Sequence, residues 1–453
     1  MAGTIQKTIL LFSSAFDGLG VEVPMALQER LAIMVNEAMS SQARSFHTPA
    51  HVFALADTEY PIITLAALFH DLVYYQIDKG FTPEIEKLVK KYIKTAGQDI
   101  QISENIANDD LLFETTLQIF GFKRGQKLSP FSGMNEFLSA LVMNVSLKDY
   151  VELFHLVKAT ACVEATIPFR GKTNDGKTAA EALADRIFAM NSEFAYGLST
   201  KEIDEITQCA VTFANRDVMN FAETNVGVFL DNTWKLLPET NPALRTTGIF
   251  TIANYLTALR KMEQFMRFLN PDNIFAYYKK VPNRKTLSEL QKRAHKNVKA
   301  GRDYLGIKML ASSILNAVAS ISGGDAPISL FMGDISRTDD DIRFEDLLPE
   351  ADMNGEITNT IHGLLAVGRA SESNFDLRNS PLANYVFSTL GQDICKKRIE
   401  DARAMFENKL SAREFLDKFP DDMISPLLGA FAEMAFTRED KIYAYLESRK
   451  IDE

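Results

Sequence analysis

Apolar residues recur at spacings of three and four along most of the chain, which is the spacing of one face of an α-helix. Leu27, Leu31, Met34 and Ala38 follow Pro24 in this way, and proline is favoured in the first turn of a helix. The sequence has no series of strands with alternating apolar and polar residues between tight glycine turns, and no βαβ rhythm. It therefore predicts an all-α protein.

The same spacing predicts three more helices in the N-terminal half. One begins near Pro61, one covers about 135–163, and one covers about 199–223. Ser199 stands at the start of the last of these helices. Its hydroxyl can accept a hydrogen bond from a free N–H group of the first turn.

Two breaks in the helical pattern predict the domain organisation. The turn-rich segment 237–242 contains two prolines and separates a predicted domain at 20–235 from a predicted helical C-terminal region at 243–453. A second irregular stretch covers about 322–356 and includes the acidic run 339–341. That run lacks the spacing of a calcium-binding EF-hand, so it predicts a charged loop.

Charge and cysteine content argue against several classes of function. The formal net charge of −11 argues against a broad electrostatic grip on nucleic acid or on an anionic membrane. The three cysteines, Cys162, Cys209 and Cys395, form no CxxC pair, which predicts reduced thiols and a cytoplasmic location. No run of about 18 apolar residues occurs, so no transmembrane helix is expected.

The histidines are few, and half of them are close together. Of six in the chain, His47, His51 and His70 belong to this group, and Asp71 follows His70 at the end of an apolar helix pattern. A buried carboxylate is costly unless it is paired or bound to a metal. Imidazole and carboxylate together suit zinc, manganese, iron and similar ions, and such an ion lets water attack phosphorus near neutral pH.

This arrangement resembles the HD superfamily of metal-dependent phosphohydrolases, in which a histidine is followed by an apolar helix that ends in a His-Asp doublet. The stretch 44–53 is similar to the Tyr-His-Asn-x-x-His opening of cyclic-nucleotide phosphodiesterases and of bacterial HD phosphohydrolases. Phe46 replaces the tyrosine and Thr48 replaces the asparagine. The resemblance is good over about 44–75. It implies an HD-domain-like helical bundle.

The resemblance also implies roles for individual residues. His51, His70 and Asp71 would bind the metal, and His47 would donate a proton to the leaving oxygen. A histidine one helical turn before a ligand lies on the same helix face and can reach a substrate oxygen. Pro49 leaves open that this segment is a turn leading into a helix. A purely structural role for His47 is the alternative.

The family pattern requires a further aspartate on another helix. Asp217 is the favoured candidate because it comes late in an apolar helix pattern, as Asp71 does. The other candidates are Asp109, Asp110, Asp149, Asp185 and Asp204. His155 is the only histidine between the doublet and Asp217, and its apolar context indicates a core residue. We therefore expect one metal, or two bridged by Asp71, and not a histidine-rich pair.

Five residues are candidates for substrate contact. Glu164, Arg170 and Lys172 cluster where a helix is predicted to end, and either cation could hold a phosphate. A solvated helix end is the alternative. Arg44 and Arg216 each neighbour a proposed site residue in sequence, so each could pair with a ligand carboxylate or with a substrate phosphate.

These observations predict metal-dependent hydrolysis of a phosphate ester or phosphodiester, with a phosphorylated small molecule such as a nucleotide as substrate. The expected cofactor is a divalent ion: Mn, Mg, Zn, Fe, Co or Ni. The region after residue 242 is expected to be a helical companion without chemistry, because His295 and His362 have no carboxylate at ligand spacing. Two alternatives stay open: a non-catalytic HD scaffold that binds a nucleotide or a protein partner, and a di-iron oxygenase on the same fold.

Overall fold

The structure is a computed structural model, and it describes residues 3–97, 99–106, 110–246, 249–333, 342, 344–349 and 359–449. Helices make up 68% of it, which confirms the predicted all-α class. The acidic run 339–341 and the candidate Asp109 lie outside the described residues.

Short connections join the helices of the first half of the chain. These helices are α1 (Thr4–Leu19), α2 (Met25–Met39), α3 (Pro49–Leu55), α4 (Pro61–Phe69), α5 (Tyr75–Asp78), α6 (Pro83–Val89), α7 (Leu111–Phe120), α8 (Met134–Leu147), α9 (Leu153–Ala165), α10 (Ala179–Phe194) and α11 (Thr200–Asp217). A small antiparallel sheet lies between α6 and α8 in the chain order. Its strands, in the order β1-β2-β3, are β1 (Ile93–Ala96), β2 (Asp99–Ile102) and β3 (Lys127–Leu128).

The second half is also helical. Its helices are α12 (Val226–Lys235), α13 (Leu237–Thr240), α14 (Ile252–Phe268), α15 (Arg284–Ser322), α16 (Ser329–Met332), α17 (Thr360–Ala366), α18 (Pro381–Phe406), α19 (Ala412–Leu416), α20 (Asp421–Met434) and α21 (Glu439–Arg449). Gly391 interrupts α18 with a φ of +73°, a conformation that glycine adopts without steric cost.

Local signals explain where several helices begin and end. The Ser199 side chain accepts a hydrogen bond from the N–H of Glu202, and the Glu202 carboxylate accepts one from the N–H of Ser199. This capping box fixes the start of α11. The apolar pattern over 135–163, by contrast, corresponds to two helices, because the chain breaks at residues 148–152 between α8 and α9.

The chain divides into two compact units. Unit 1 comprises Met1–Ala222 and Asn270–His295, and unit 2 comprises Glu223–Leu269 and Lys296–Glu453. These bounds differ from the predicted 20–235 and 243–453. The segment 237–242 does break the helical pattern, but α13 packs on α14 within unit 2. A helix break of this kind therefore does not mark the edge of a unit here.

The core of unit 1 surrounds α4. Every residue from Ile62 to Phe69 is buried, and α4 packs against α1, α3 and α9. Helices α9 and α11 pack closely along their length. The Sγ atoms of Cys162 on α9 and Cys209 on α11 lie 3.7 Å apart, and both thiols are free.

Helix α15 is long and apolar enough, by length and composition, to cross a membrane. Of its most apolar window, 83% is buried inside the protein, which is also the pattern of a core helix. The expected absence of a transmembrane helix and the expected cytoplasmic location both stay predictions.

Candidate metal centre

The first candidate ligand, His51, lies on α3. This helix begins at Pro49, and Thr48 is its N-cap residue, so proline supplies a preset φ for the first turn. The His51 ring is 5.5 Å from the His70 ring and 5.0 Å from the Phe46 ring, measured between ring centroids. His51 is thereby held with one ring nitrogen, Nε2, toward the two candidate carboxylates.

The doublet His70-Asp71 ends α4 and leads into a turn. The N–H of Val73 donates to the Ser139 hydroxyl, and the N–H of Tyr75 donates to the Asn135 side-chain oxygen. Both acceptors belong to α8. The chain after the doublet is therefore fixed by hydrogen bonds to a neighbouring helix as well as by its own turn.

Arg44 holds the same turn from the other direction. Its side chain is fully buried, and it donates to the backbone oxygens of Asp71, at 2.6 Å, and Leu72, at 3.2 Å. It also pairs with the Asp78 carboxylate at 2.5 Å. These contacts make Arg44 a positioning residue for Asp71, and its contact with a substrate stays a prediction.

Asp217 is the last residue of α11, far from the doublet in sequence but beside it in space. Its Oδ1 atom lies 3.1 Å from His51 Nε2 and 3.6 Å from His70 Nε2. On the other side, Asp71 Oδ2 lies 2.9 Å from His70 Nε2 and 3.6 Å from His51 Nε2. The structure thus brings together all four predicted ligands.

These separations match atoms that share one cation. Nitrogen and oxygen ligands lie about 2.0–2.2 Å from zinc and similar ions, so neighbouring ligands are about 3–3.5 Å from one another. His51, His70 and Asp71 form a group that could hold a metal ion, the only group of its kind among the residues that the structure describes. The identity of the ion is a separate question.

The hydrogen bonding of His70 gives an independent test of whether a cation fits. Its Nδ1 atom lies 3.0 Å from the Ala67 carbonyl oxygen. Because a carbonyl can only accept, Nδ1 carries the proton. The buried Nε2 atom lies 2.9 Å from Asp71 Oδ2 and 3.6 Å from Asp217 Oδ1 but makes no well-directed hydrogen bond, so in the neutral ring its lone pair is available to a cation. This tautomer, fixed by a backbone carbonyl, is the usual arrangement of a metal-binding histidine.

Electrostatics in the centre also favour an added positive charge. Burial lowers the pKa of His70, but Asp71 and Asp217 outweigh it and raise that pKa well above its ordinary value. Burial raises the pKa of Asp217, yet hydrogen bonds and charges from His51 and His70 bring it down to about 2. A proton or a metal ion between these groups relieves the repulsion of the carboxylates.

His47 lies near the centre but outside the ligand group. It precedes α3, so it does not share a helix face with His51, contrary to the geometry expected from the sequence. The half-buried His47 ring is 6.0 Å from the His51 ring and stands edge-on to the Tyr74 ring at 4.8 Å. Its charge acts on Asp71 and helps to lower the pKa of that carboxyl.

Glu136, in the first turn of α8, was not identified from the sequence. Burial, together with the negative charges of Asp71 and Asp217, raises the pKa of Glu136 to about 7. Its Oε2 atom is buried without a hydrogen-bond partner. One signal could have found it: an acidic residue within an apolar helix pattern, the same signal that singled out Asp71.

Glu164 and Arg170 belong to an ion cluster around a buried carboxylate. The Glu164 carboxylate is fully buried and binds both Arg170, at 2.5 Å, and Arg186. Arg186 was not anticipated, because it lies on another helix, α10, 22 residues from Glu164 in sequence. Lys172 lies exposed on the loop beyond. The structure therefore joins two of the three residues of this predicted substrate group and leaves Lys172 apart from them.

The remaining candidates are not among the side chains that converge at the metal centre. Arg216 pairs with Asp57 at 2.5 Å, which ties the end of α11 to the loop before α4. His155 lies at the start of α9 and is half-buried. Among the rejected aspartates, Asp110 caps α7, and Asp204 pairs with Lys279.

A cavity of about 540 Å³ also lies in unit 1. It is lined by Arg170 and Lys172, and by Ala214 and Val218 of the segment that carries Asp217.

No protein-family model, curated protein or solved structure matches the chain, so the resemblance to the HD superfamily stays a prediction from the residues around the doublet.

Proposed function

We propose that the protein is a metal-dependent phosphohydrolase acting on a phosphate ester or phosphodiester of a small molecule such as a nucleotide. One observation carries the proposal: the Nε2 atoms of His51 and His70 each lie 2.9–3.6 Å from a carboxylate oxygen of Asp71 and from one of Asp217. A divalent ion held there, such as Mn, Mg, Zn, Fe, Co or Ni, would polarise phosphoryl oxygens and lower the pKa of a water molecule.

Two residues of the chain are assigned to proton transfer. His47 is half-buried beside the centre, and we assign it to protonation of the leaving oxygen. Glu136, with a pKa of about 7, can hold or release a proton near neutral pH, and we assign it to the attacking water. Arg44 has no chemical step in this proposal. Its guanidinium fixes the backbone at Asp71 by donating a hydrogen bond to the Asp71 carbonyl oxygen.

The first experiment measures metal content and hydrolysis in the full-length chain. The protein is freed of metal with a chelator, loaded with Mn, Mg, Co, Ni or Zn in turn, and assayed against a panel of phosphorylated metabolites. The Asp217→Asn variant removes the negative charge of this ligand, replaces one of its two oxygens by an NH2 group, and keeps the side-chain shape. We expect it to lose most bound metal and to lower turnover by at least about a hundredfold.

The matched control is His362→Gln, a histidine in unit 2 that lies outside the centre. It should keep both metal and turnover. Unchanged metal stoichiometry in Asp217→Asn would overturn the ligand assignment. Bound metal without hydrolysis of any phosphate ester in the panel would instead favour the scaffold alternative.

A further inference from the structure

The large cavity of unit 1 has a defined position beside the metal centre. Its walls are the segment 165–181, one face of α11 and the segment 272–291, all of which belong to unit 1. Ala214 and Val218 line it, while Asp217 between them in sequence faces His51 and His70. The cavity and the metal centre therefore occupy neighbouring faces of the same helix end.

The cavity has an apolar floor. Five apolar side chains line it, and each exposes less than a tenth of its surface: Ile167, Leu183, Val211, Ile274 and Leu287. A volume of about 540 Å³ lies within the range of pockets that enclose small organic ligands, about 300–1,000 Å³. The floor therefore suits a ring or another apolar group.

Two cations at the rim have no carboxylate of the described residues at ion-pair distance. Lys172 and Arg284 are exposed and line the cavity, and within the described part of the chain neither makes a hydrogen bond or an ion pair. The Arg284 guanidinium lies 3.9 Å from the centroid of the Tyr277 ring. Arg170 differs from them because its guanidinium is held by Glu164.

The two acidic residues of the lining are already engaged. Glu181 accepts hydrogen bonds from Thr178 at the start of α10, and Asp272 pairs with His295 at 2.7 Å. Within the described residues, neither carboxylate forms an ion pair with Lys172 or Arg284, although the Lys172 charge acts on Glu181 from a greater distance. Phe169, also in the wall, has a φ of +58°, a left-handed conformation that costs a non-glycine residue free energy and is often found at binding sites.

We propose that this cavity binds an amphipathic organic anion, with the apolar body on the floor and the anionic group at Lys172 and Arg284. The identification of that anion as the substrate rests on the proposed phosphohydrolase function. On that basis the substrate class is an organic phosphate ester that carries an apolar ring-sized group and at least one further negative charge beyond the phosphoryl group attacked at the metal centre.

The test uses two fluorescent probes that differ in charge. One is 8-anilinonaphthalene-1-sulfonate, an aromatic anion, and the other is N-phenyl-1-naphthylamine, which has the same rings and no charge. Both are titrated into the full-length Asp217→Asn chain, so that turnover plays no part. In this background, Lys172→Ala with Arg284→Ala should raise the Kd of the anionic probe about tenfold, the sum of two partly exposed charge contacts. The neutral probe should be unaffected.

Two further variants separate the cavity from the rest of the surface. Arg30→Ala with Lys90→Ala removes an exposed arginine and an exposed lysine of unit 1 that do not line the cavity, and should leave both probes unchanged. Gly171 lines the cavity, and a Cβ there meets only the Asn273 side chain, at 3.7 Å. Gly171→Phe should therefore fill the cavity and weaken both probes.

The outcomes distinguish this proposal from the function on which it rests. Equal effects of the rim pair and the control pair on the anionic probe would overturn the cavity assignment. Probe binding that depends on Lys172 and Arg284, without hydrolysis of any phosphate ester, would support the binding site. It would overturn the claim that the ligand of this site is a substrate. Hydrolysis with a KM that is unchanged by the rim pair would overturn this proposal and leave the phosphohydrolase intact.

Discussion

The buried Nε2 atom of His70 lies beside two carboxylates, and this geometry determines how the candidate metal centre responds to pH. Without a metal ion, protonated His70 is stabilised by Asp71 and Asp217, which raise its pKa well above 6.5. That contribution to folding is complete below about pH 6.5 and is lost as the pH rises through the raised pKa. A metal ion requires the neutral ring, so metal and proton compete for one nitrogen atom.

We predict that metal affinity falls as the pH falls. Between pH 8 and pH 6 the Kd for Zn or Mn should rise, by up to about tenfold per pH unit at pH values below the pKa of His70, since one proton is displaced from its ring. Calorimetric titration in buffers of different ionisation enthalpy would measure both the affinity and the proton released. An affinity that is constant over this range would contradict the assignment of His70 Nε2 as a ligand atom.

The sequence identified the four residues that converge, but it did not identify their surroundings. His51, His70 and Asp71 stand out because metal-ligand residue types are close together in an apolar context. Asp217 was chosen by its place in a helix pattern. Glu136 carries the same signal as Asp71, an acidic residue within an apolar pattern, but its closeness to the centre depends on the packing of α8. Arg186 was missed because a single sequence does not reveal the packing of α10.

At the scale of elements, the end of α4 is held by contacts with other helices and loops. Arg44 is central to this arrangement because it joins the segment before α3 to the turn after the doublet. Its partners are the Asp71 and Leu72 carbonyls and the Asp78 carboxylate. The contacts that fix the position of Asp71 therefore also contribute to the stability of the fold.

We predict that Arg44→Ala lowers the free energy of unfolding by about 2–4 kcal/mol, because it leaves a largely buried carboxylate and two carbonyls without their partner. The value lies below that of a fully buried pair, since the Asp78 side chain is 19% exposed. Urea unfolding would measure the change. Arg30→Ala is the control: its side chain is 65% exposed, and its loss should cost less than about 1 kcal/mol. Equal effects of the two substitutions would contradict this role for Arg44.

Some elements were predictable from the sequence and some were not. The starts of α2, α4 and α11 carry proline or serine signals that act locally, and each helix begins where its signal predicts. The break between α8 and α9 carries no such signal, because apolar residues continue at helical spacing across it. Periodicity records which residues face a core and does not record where the chain turns.

At the scale of the whole molecule, unit 1 is discontinuous in sequence. The segment Asn270–His295 returns to it, and Asn215 makes two hydrogen bonds with the backbone of Ala276, at 2.7 and 3.0 Å. Tyr278 joins a small apolar cluster with Ala180, Ala184 and Val211. The sequence did not predict this return, because turn residues do not indicate which distant surfaces pack together.

We predict that a chain of residues 1–222 is less stable than unit 1 within the full-length protein, because the face of α10 and α11 that packs on Tyr278 is left exposed. A synthetic peptide of residues 270–295 added in trans should raise its melting temperature, measured by circular dichroism. A peptide of the same composition in scrambled order is the control. An equal response to the two peptides would contradict the role of the returning segment.

The candidate ligands and the walls of the cavity come at different points along the chain, and this order has a consequence for synthesis on the ribosome. All four candidate ligands lie within the first 217 residues, whereas the segment that completes the cavity ends at His295. Proteins are made from the N-terminus, and structure forms as the chain emerges. A nascent chain can therefore bring its metal ligands together before one wall of the cavity has been made. On the proposed function, metal uptake can therefore precede the ability to bind an organic ligand, and the finished cavity would form beside a centre that is already loaded.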